Sequence, residues 1–277
     1  MNSDTRDQNE QYVLQTGSTA VERLKIVMDS YGPGTERLLD SLNSIDGKSV
    51  ADVGCGTGLV SASFAKRVGA TGKVVGIDSA PDTLAIARKM NDATNIKGIE
   101  WHNGDAYATG LADNTYDVVY CRLLLLHLKE PARAVAEMRR IAKPGGLVIC
   151  EDLATINTQT YPIDSPIKTI QERIKNMAAK QGTDWDIGLA LPSLFKSLGL
   201  TDIKISTHQP GHLTGEGKRL AEYTFLEAVP KMIAAGVLTE DAARQTGQEM
   251  REFTDRDDTV VFLPTMIQAI GKKTMFA

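Results

Sequence analysis

Short apolar runs alternate with amphipathic stretches between residues 47 and 152. The apolar runs, which are predicted strands, lie at 49–53, 73–77, 99–102, 117–121 and 147–150. Few polar residues interrupt them, which is typical of central strands covered on both faces. The intervening segments at 59–68, 81–90 and 131–142 carry apolar residues at helical spacing. Strands that alternate with helices predict βαβ units, so we expect an α/β fold with helices on both faces of a mostly parallel sheet.

The regions on either side of this core are predominantly helical in pattern. Residues 1–45 form a predicted N-terminal helical cap, in which Tyr31-Gly32-Pro33-Gly34 predicts a break between two helices. Beyond residue 152, helical patterns lie near 166–180, 190–198 and 216–254, the last hinged at Gly236, and strand-like runs lie at 202–207 and 259–263. We find no repeat or low-complexity linker, and we expect one α/β domain over 46–277 with helical additions.

Composition argues against a membrane-spanning, secreted or metal-binding protein. The chain has 277 residues, 42% of them hydrophobic, and a formal net charge of −4. Its longest aliphatic run is far shorter than the ~20 residues that span a membrane, and its polar first residues do not suggest a signal peptide. Three widely spaced cysteines favour reduced thiols in the cytoplasm. We therefore expect a cytoplasmic protein that uses no membrane and no metal, because no Cys/His cluster has ligand spacing.

Glycine and aspartate residues mark three consecutive strand ends. The first predicted strand runs into a turn with Gly54, Gly56 and Gly58, and glycines let a ligand approach the backbone closely. The second ends in Asp78, placed to accept hydrogen bonds from ribose hydroxyls, and the third is followed by Asp105, placed to accept from an exocyclic amine. Because ligands of open α/β sheets bind at the carboxyl ends of strands, this set predicts an adenosine-containing ligand.

The glycine spacing distinguishes between adenosine ligands. A dinucleotide fingerprint is GxGxxG, but here Leu59 occupies the third glycine position and Gly58 comes one residue early. The segment GxGxG, preceded by Asp52, resembles the first motif of class I S-adenosylmethionine-dependent methyltransferases. Two acidic residues, Asp78 and Asp105, also match this family. Three segments resemble it as well: 116–121, 143–146 and 122–128. The last of them, RLLLLHL, is similar to the ubiquinone/menaquinone-biosynthesis type of small-molecule methyltransferase.

The resemblance implies a fold and a cofactor site. It implies a Rossmann-like seven-stranded, mostly parallel sheet, with a sixth strand near 202–207 and an antiparallel last strand near 259–270. Insertions at about 153–185 and 212–256 then become helical lids. The implied cofactor is S-adenosylmethionine, with S-adenosylhomocysteine as product. Its implied binding residues are Tyr12, Gly54, Cys55, Gly56, Asp78, Ser79, Asp105, Ala106 and Arg122.

The implied reaction makes modest demands on side chains. A sulfonium methyl is already activated, so the enzyme must hold the nucleophile in line with the leaving sulfur and exclude water. His127 and Glu151 are the candidate catalytic residues, as possible proton acceptors. Their alternative roles are a positioning histidine and a cap for the following segment. We expect a small organic methyl acceptor and a monomer or homodimer, with the acceptor atom left open.

Three other functions fit parts of the sequence. A nucleic-acid or protein methyltransferase could share the fold, but residues 1–45 carry four basic and seven acidic side chains, and no basic segment with interleaved aromatic residues is present. We therefore expect no nucleic-acid partner. A dinucleotide-dependent oxidoreductase would need the missing GxGxxG spacing. A binding protein that holds the cofactor without turnover stays open.

Overall fold

The molecule is built around a sheet of seven strands. In this computed structural model, which describes residues 18–94 and 96–275, the order of the large sheet is β3-β2-β1-β4-β5-β10-β7 and that of a second, three-stranded sheet is β6-β9-β8. The strands are β1 Ser49–Val53, β2 Lys73–Asp78, β3 Ile99–Asn103, β4 Tyr116–Arg122, β5 Ala142–Ala154, β6 Gln159–Tyr161, β7 Leu200–His208, β8 Gly211–His212, β9 Val260–Phe262 and β10 Thr265–Lys273.

Strand direction confirms the Rossmann-like prediction. Strands β1 to β5 pair in parallel, whereas β10 runs antiparallel to both of its neighbours, β5 and β7. The carboxyl ends of β1 to β5 therefore meet at one edge, which we call the carboxyl edge. The strand order reverses between β1 and β4, and such a switch point is where open α/β sheets bind ligands.

Helices cover both faces of the large sheet. They are α1 Ser18–Asp40, α2 Leu59–Val68, α3 Pro81–Thr94, α4 Pro131–Ile141, α5 Pro166–Lys180, α6 Leu191–Ser197, α7 Leu220–Ala234 and α8 Glu240–Asp255. On one face, Phe64 of α2 and Leu38 of α1 are buried together with Tyr120 of β4. On the other, Met138 of α4 is buried with Val119 of β4. Two apolar layers thus hold the sheet between helices, and α7 and α8 meet at Gly236 as predicted.

The N-terminal helix corrects one prediction. Residues Ser18–Asp40 form one helix that continues through Pro33, where the sequence predicted two helices. Proline removes one backbone hydrogen bond, and tertiary contacts of the helix offset this loss: Tyr31 is buried and its hydroxyl donates to Pro264 O at 2.8 Å. A Cβ on Gly34 would lie 2.3 Å from Cδ2 of His208 in β7. Gly34 therefore permits close packing of the helix on the sheet rather than ending the helix.

The end of the chain corrects a second prediction. The last strand was expected to run from about 259 to 270, but residues 260–262 form β9 in the second sheet and β10 begins at Thr265. Pro264 lies between them, and a proline that cannot donate to a strand ladder marks such a division. The second sheet joins β6, which lies in the first expected insertion, to β8 and β9, which flank the second one.

Candidate functional site

The glycine turn after β1 adopts a conformation that favours glycine. Gly54, Gly56 and Gly58 have φ angles of 71°, 55° and 78°. The N–H groups of Gly54 and Cys55 donate to Ile77 O at 2.8 and 2.9 Å, which fixes the turn to the end of β2. A Cβ on Gly56 would meet no described atom within 4 Å, so the backbone there is open to a ligand.

Asp78 lies directly beside this turn. Its Oδ2 accepts from Gly56 N at 3.0 Å, and its Oδ1 accepts from Ala80 N at 2.9 Å. The carboxyl group is mostly enclosed, and this burial raises its pKa above the ordinary aspartate value. Asp78 thus links the glycine turn to the start of α3, next to Ser79.

The end of β3 completes the row of polar strand ends. Asp105 Oδ1 accepts from Tyr107 N at 2.7 Å, which holds the loop that contains Ala106. Asn103 donates from Nδ2 to the carbonyl oxygens of Asp78 and Ser79 at 3.0 and 3.1 Å. Sequence reasoning missed Asn103, although a polar residue that ends a strand next to Asp105 was a usable signal.

Two further residues, Asp52 and Trp101, pack around the glycine turn from within the sheet. Asp52 is buried and its Oδ2 accepts from the Ser61 hydroxyl at 2.6 Å, which ties β1 to α2, and burial raises the pKa of Asp52 to about 6. Trp101 of β3 lies against two glycines: a Cβ on Gly58 or Gly76 would stand 2.2 or 2.6 Å from its ring. Trp101 therefore explains why the third glycine falls at Gly58, which the sequence alone did not.

Arg122, which ends β4, pairs with Glu151 of the neighbouring β5, and both side chains connect to α1 rather than to open space. Glu151 is fully buried; its Oε1 accepts from Tyr120 OH at 2.5 Å, and its Oε2 accepts from Gln268 Nε2 at 2.7 Å and Thr35 Oγ1 at 3.1 Å. Arg122 Nη1 also donates to Thr35 Oγ1, at 3.2 Å. This buried network fastens the N-terminal helix to the sheet.

Asp152 organises the turn that leads to His127. Its Oδ2 accepts from the N–H groups of Leu125 and Leu126 at 2.8 and 3.3 Å, so the carboxylate caps the short 3₁₀ helix Leu125–His127. Complete burial raises the pKa of Asp152 to about 7. The turn begins at Leu123, a non-glycine residue with φ of 54°.

His127 lies half-buried at the end of this turn. Burial, with a smaller contribution from the positive charge of Arg23, lowers the pKa of His127 to about 3. Its ring lies edge-on to the Trp185 ring, with centroids 6.3 Å apart. His127 is therefore uncharged near neutral pH, and a pKa of about 3 makes it a weak proton acceptor.

The sheet brings most of the sequence-predicted site residues to one edge. Because β3, β2, β1 and β4 are neighbours, the groups at 105–106, 78–79, 54–56 and 122 follow one another along the carboxyl edge. Tyr12 lies outside the described residues. Glu151 is separated from the open side of this row by its buried partners. Among residues 18–94 and 96–275, no helix has the length and apolar character needed to cross a membrane.

Comparisons with known proteins agree with this geometry. The profile of the methyltransferase domain family matches residues 51–150, which is the part of the chain from β1 to β5. The demethylmenaquinone methyltransferase of Shouchella clausii is 34% identical over 190 residues, which cover 62% of this chain and 80% of that protein.

Two other matches are a shorter sequence match and a solved structure that shares only the fold. An uncharacterized 37.1 kDa protein in a transposon of Streptomyces fradiae is 36% identical over 112 residues, 40% of this chain and only 32% of that protein. The chain thus spans about a third of the length of this relative. A crystal structure of a putative methyltransferase from Bacillus halodurans C-125 has a similar fold, with a TM-score of 0.59 and 19% sequence identity. The superposition covers 87% of this chain and 98% of the chain in that structure.

The site geometry, the family match and the Shouchella clausii relative point to one family. The glycine turn, the acids that end β2 and follow β3, and the seven-stranded sheet belong together in it. The chain belongs to the class I S-adenosylmethionine-dependent methyltransferases and is similar to members of the menaquinone type.

Proposed function

We propose that the chain transfers the methyl group of S-adenosylmethionine to a small organic molecule. The observation that carries the proposal is the row of Gly56, Asp78 and Asp105 along the carboxyl edge of a methyltransferase-family sheet. In the reaction the methyl carbon forms a bond to the acceptor nucleophile, the bond to sulfur breaks, and its electron pair stays on S-adenosylhomocysteine.

Each strand end has a proposed task in binding the cofactor. The open backbone of Gly54, Cys55 and Gly56 approaches the methionine part, with support from the Arg122 backbone. Asp78 accepts from the ribose hydroxyls beside Ser79. The adenine lies against 105–106, where Asp105 accepts from its amine. Tyr12, upstream of the described residues, remains a proposed contact to the cofactor carboxylate.

His127 and Glu151 remain the candidate catalytic residues, and their surroundings support positioning roles. His127 is uncharged at neutral pH because burial lowers its pKa to about 3, so it is better suited to a hydrogen bond than to proton removal. Glu151 accepts from Tyr120, Thr35 and Gln268, so it orients α1 over the edge. Alignment of the acceptor nucleophile with the methyl–sulfur bond and exclusion of water then provide the main catalytic effect.

The helical additions have a proposed role as a lid. The parts at about 153–185 and 212–256, together with the described part of the helical cap, α1, would surround the acceptor end of the carboxyl edge. Arg23 Nε donates to Glu227 Oε2 at 3.0 Å, which supports a common layer formed by α1 and α7. A lid of this size favours a small acceptor over a nucleic acid. We place the protein in the cytoplasm as a monomer or homodimer; its free thiols at Cys55, Cys121 and Cys150 fit a reducing compartment.

Calorimetric titration with S-adenosylhomocysteine, S-adenosylmethionine, NAD and NADP tests the cofactor. Binding of the first two alone is expected, together with a higher melting temperature, because a ligand that binds the native state stabilises it. Binding of the dinucleotides alone would overturn the proposal. Transfer of a labelled methyl group to members of a small-molecule panel then separates an enzyme from a protein that holds the cofactor without turnover.

A further inference from the structure

A largely buried polar cluster lies beside the turn that follows β4. It consists of Arg23 of α1, His127 at the end of the turn, Trp185 in the loop after α5, and Glu227 of α7. Arg23 and Glu227 are joined by the buried hydrogen bond at 3.0 Å. His127 lies five residues beyond Arg122, so the cluster stands at the carboxyl edge where the acceptor must meet the methyl group. Each proposed lid segment contributes one residue to it.

One polar atom each of Glu227 and Trp185 has no hydrogen-bond partner in the described part of the chain. Glu227 is 5% exposed and Trp185 is 8% exposed. Glu227 Oε1 and Trp185 Nε1 are both buried, and neither has a hydrogen-bond partner among residues 18–94 and 96–275. Buried polar atoms are nearly always paired, because an unpaired one loses its bonds to water without replacement. One orphaned acceptor and one orphaned donor in a single cluster therefore point to a ligand that carries the complementary groups.

Charge restricts the kind of ligand. Arg23 and Glu227 form an ion pair with side-chain exposures of 11% and 3%, and His127 is uncharged near neutral pH. The cluster therefore has no net charge to offset that of an ammonium, carboxylate or phosphate group, and an unmatched charge is costly to bury. A hydroxyl group can donate to Glu227 Oε1, and a hydroxyl or carbonyl oxygen can accept from Trp185 Nε1.

We propose that Glu227 and Trp185 bind the methyl acceptor, and that the acceptor is an uncharged molecule with at least one hydroxyl group. This inference rests on the proposed function and assigns its acceptor site. Both atoms are covered in the structure, so α1 or α7 moves aside to admit the ligand. Arg23 holds Glu227 in place through Oε2 and leaves Oε1 for the acceptor.

Three probes with one carbon skeleton test the charge and the hydrogen bonds. Binding of 1-naphthol, 1-naphthoate and 1-naphthylmethylammonium is measured by calorimetry on the full chain saturated with S-adenosylhomocysteine. We expect 1-naphthol to bind at least tenfold more tightly than either charged probe. Glu227→Gln should weaken naphthol binding about tenfold, because the amide can present a donor where the ligand also donates. Trp185→Phe, which removes the donor, should have a similar effect.

Glu222→Gln is the matched control. Glu222 is also a buried glutamate of α7, but its oxygens are paired with Arg219 and Arg251. This variant should lose stability and keep its affinity for 1-naphthol. Equal affinity losses in Glu222→Gln and Glu227→Gln would overturn the inference, as would tighter binding of a charged probe or no binding of 1-naphthol.

The design separates this inference from the proposed function. Failure of S-adenosylhomocysteine to bind would remove the proposed function itself. Normal cofactor binding with naphthol affinity that is insensitive to Glu227 would remove only the assignment of the acceptor site. If Trp185→Phe does not fold, the nearly isosteric Glu227→Gln variant still tests the assignment of the acceptor site.

Discussion

The two halves of the carboxyl edge are built in different ways. On the proposed cofactor side, at the ends of β1 to β3, the proposed ligand contacts are backbone N–H groups and short carboxylates such as Asp78, held by neighbours in the sheet. On the proposed acceptor side, near the ends of β4 and β5 and on the added helices, buried polar side chains pair with distant parts of the chain. Glu151 and Thr35, or Arg23 and Glu227, meet although 116 and 204 residues separate them in the chain.

The two halves hold different kinds of ligand in the proposed function. A cofactor that never changes can be held by backbone geometry and a few acids, which short motifs record. An acceptor that differs between proteins is met by side chains on added helices, whose identity depends on tertiary packing. Variants on the cofactor side should therefore change cofactor binding or the turn, whereas variants on the acceptor side should leave cofactor affinity intact.

Gly58→Ala should have the largest effect. The alanine would have to adopt a φ near 78°, which is strained for an L residue, and its Cβ would stand 2.2 Å from the Trp101 ring. We therefore expect a loss of ~3 kcal/mol or more in the free energy of unfolding. Gly56→Ala is the control, because its added Cβ meets no described atom within 4 Å and only the backbone term of ~1–2 kcal/mol applies. Urea unfolding compares the two; equal losses would show that Trp101 does not constrain the turn.

Asp78→Ala should weaken the binding of S-adenosylhomocysteine ~10- to 100-fold, since a hydrogen bond to a charged group contributes ~1.5–3 kcal/mol. The fold should survive, because the lost contacts are two backbone N–H groups at a partly open edge. Asp82→Ala, in the exposed first turn of α3, removes a carboxylate nearby and should leave affinity unchanged. Unaltered calorimetric affinity in Asp78→Ala would remove Asp78 from the cofactor site.

Asp152 offers a pH test of the acceptor side. Its pKa of about 7 in the folded protein exceeds that of an exposed aspartate, so the native state binds the extra proton between about pH 4 and 7. The contribution of Asp152 to stability is therefore complete below pH 4 and lost as pH rises through 7.

The Asp152→Asn variant isolates this contribution, because an amide does not titrate. Urea unfolding between pH 4.5 and 8 should show wild-type stability falling relative to the variant as pH rises. Cofactor affinity in the variant should stay at the wild-type value if the two halves of the edge are independent. Parallel stability curves for the two proteins would show that Asp152 ionises as an ordinary carboxylate.

The same division explains what the sequence could predict. Strands β1, β2 and β4 and helix α2 were predictable almost to the residue, because buried strands and amphipathic helices carry their signal locally. The row of glycine and aspartate followed from strand order. The continuity of α1 through Pro33 depends on His208 and Pro264, and the burial of Glu151 depends on Thr35 and Gln268. No local pattern encodes such distant partners.

The smallest effect concerns the strained residue between the two halves. Leu123 has φ of 54°, where alanine pays a steric cost that glycine does not, so Leu123→Gly should be more stable than Leu123→Ala by ~1 kcal/mol. Leu124 has φ of −105°, so the order should reverse there, with Leu124→Ala the more stable of its pair. Comparing glycine with alanine at each site cancels most of the lost leucine packing. Thermal or urea unfolding of the four variants decides, and the same order at both positions would mean that the turn after β4 relaxes without its leucine.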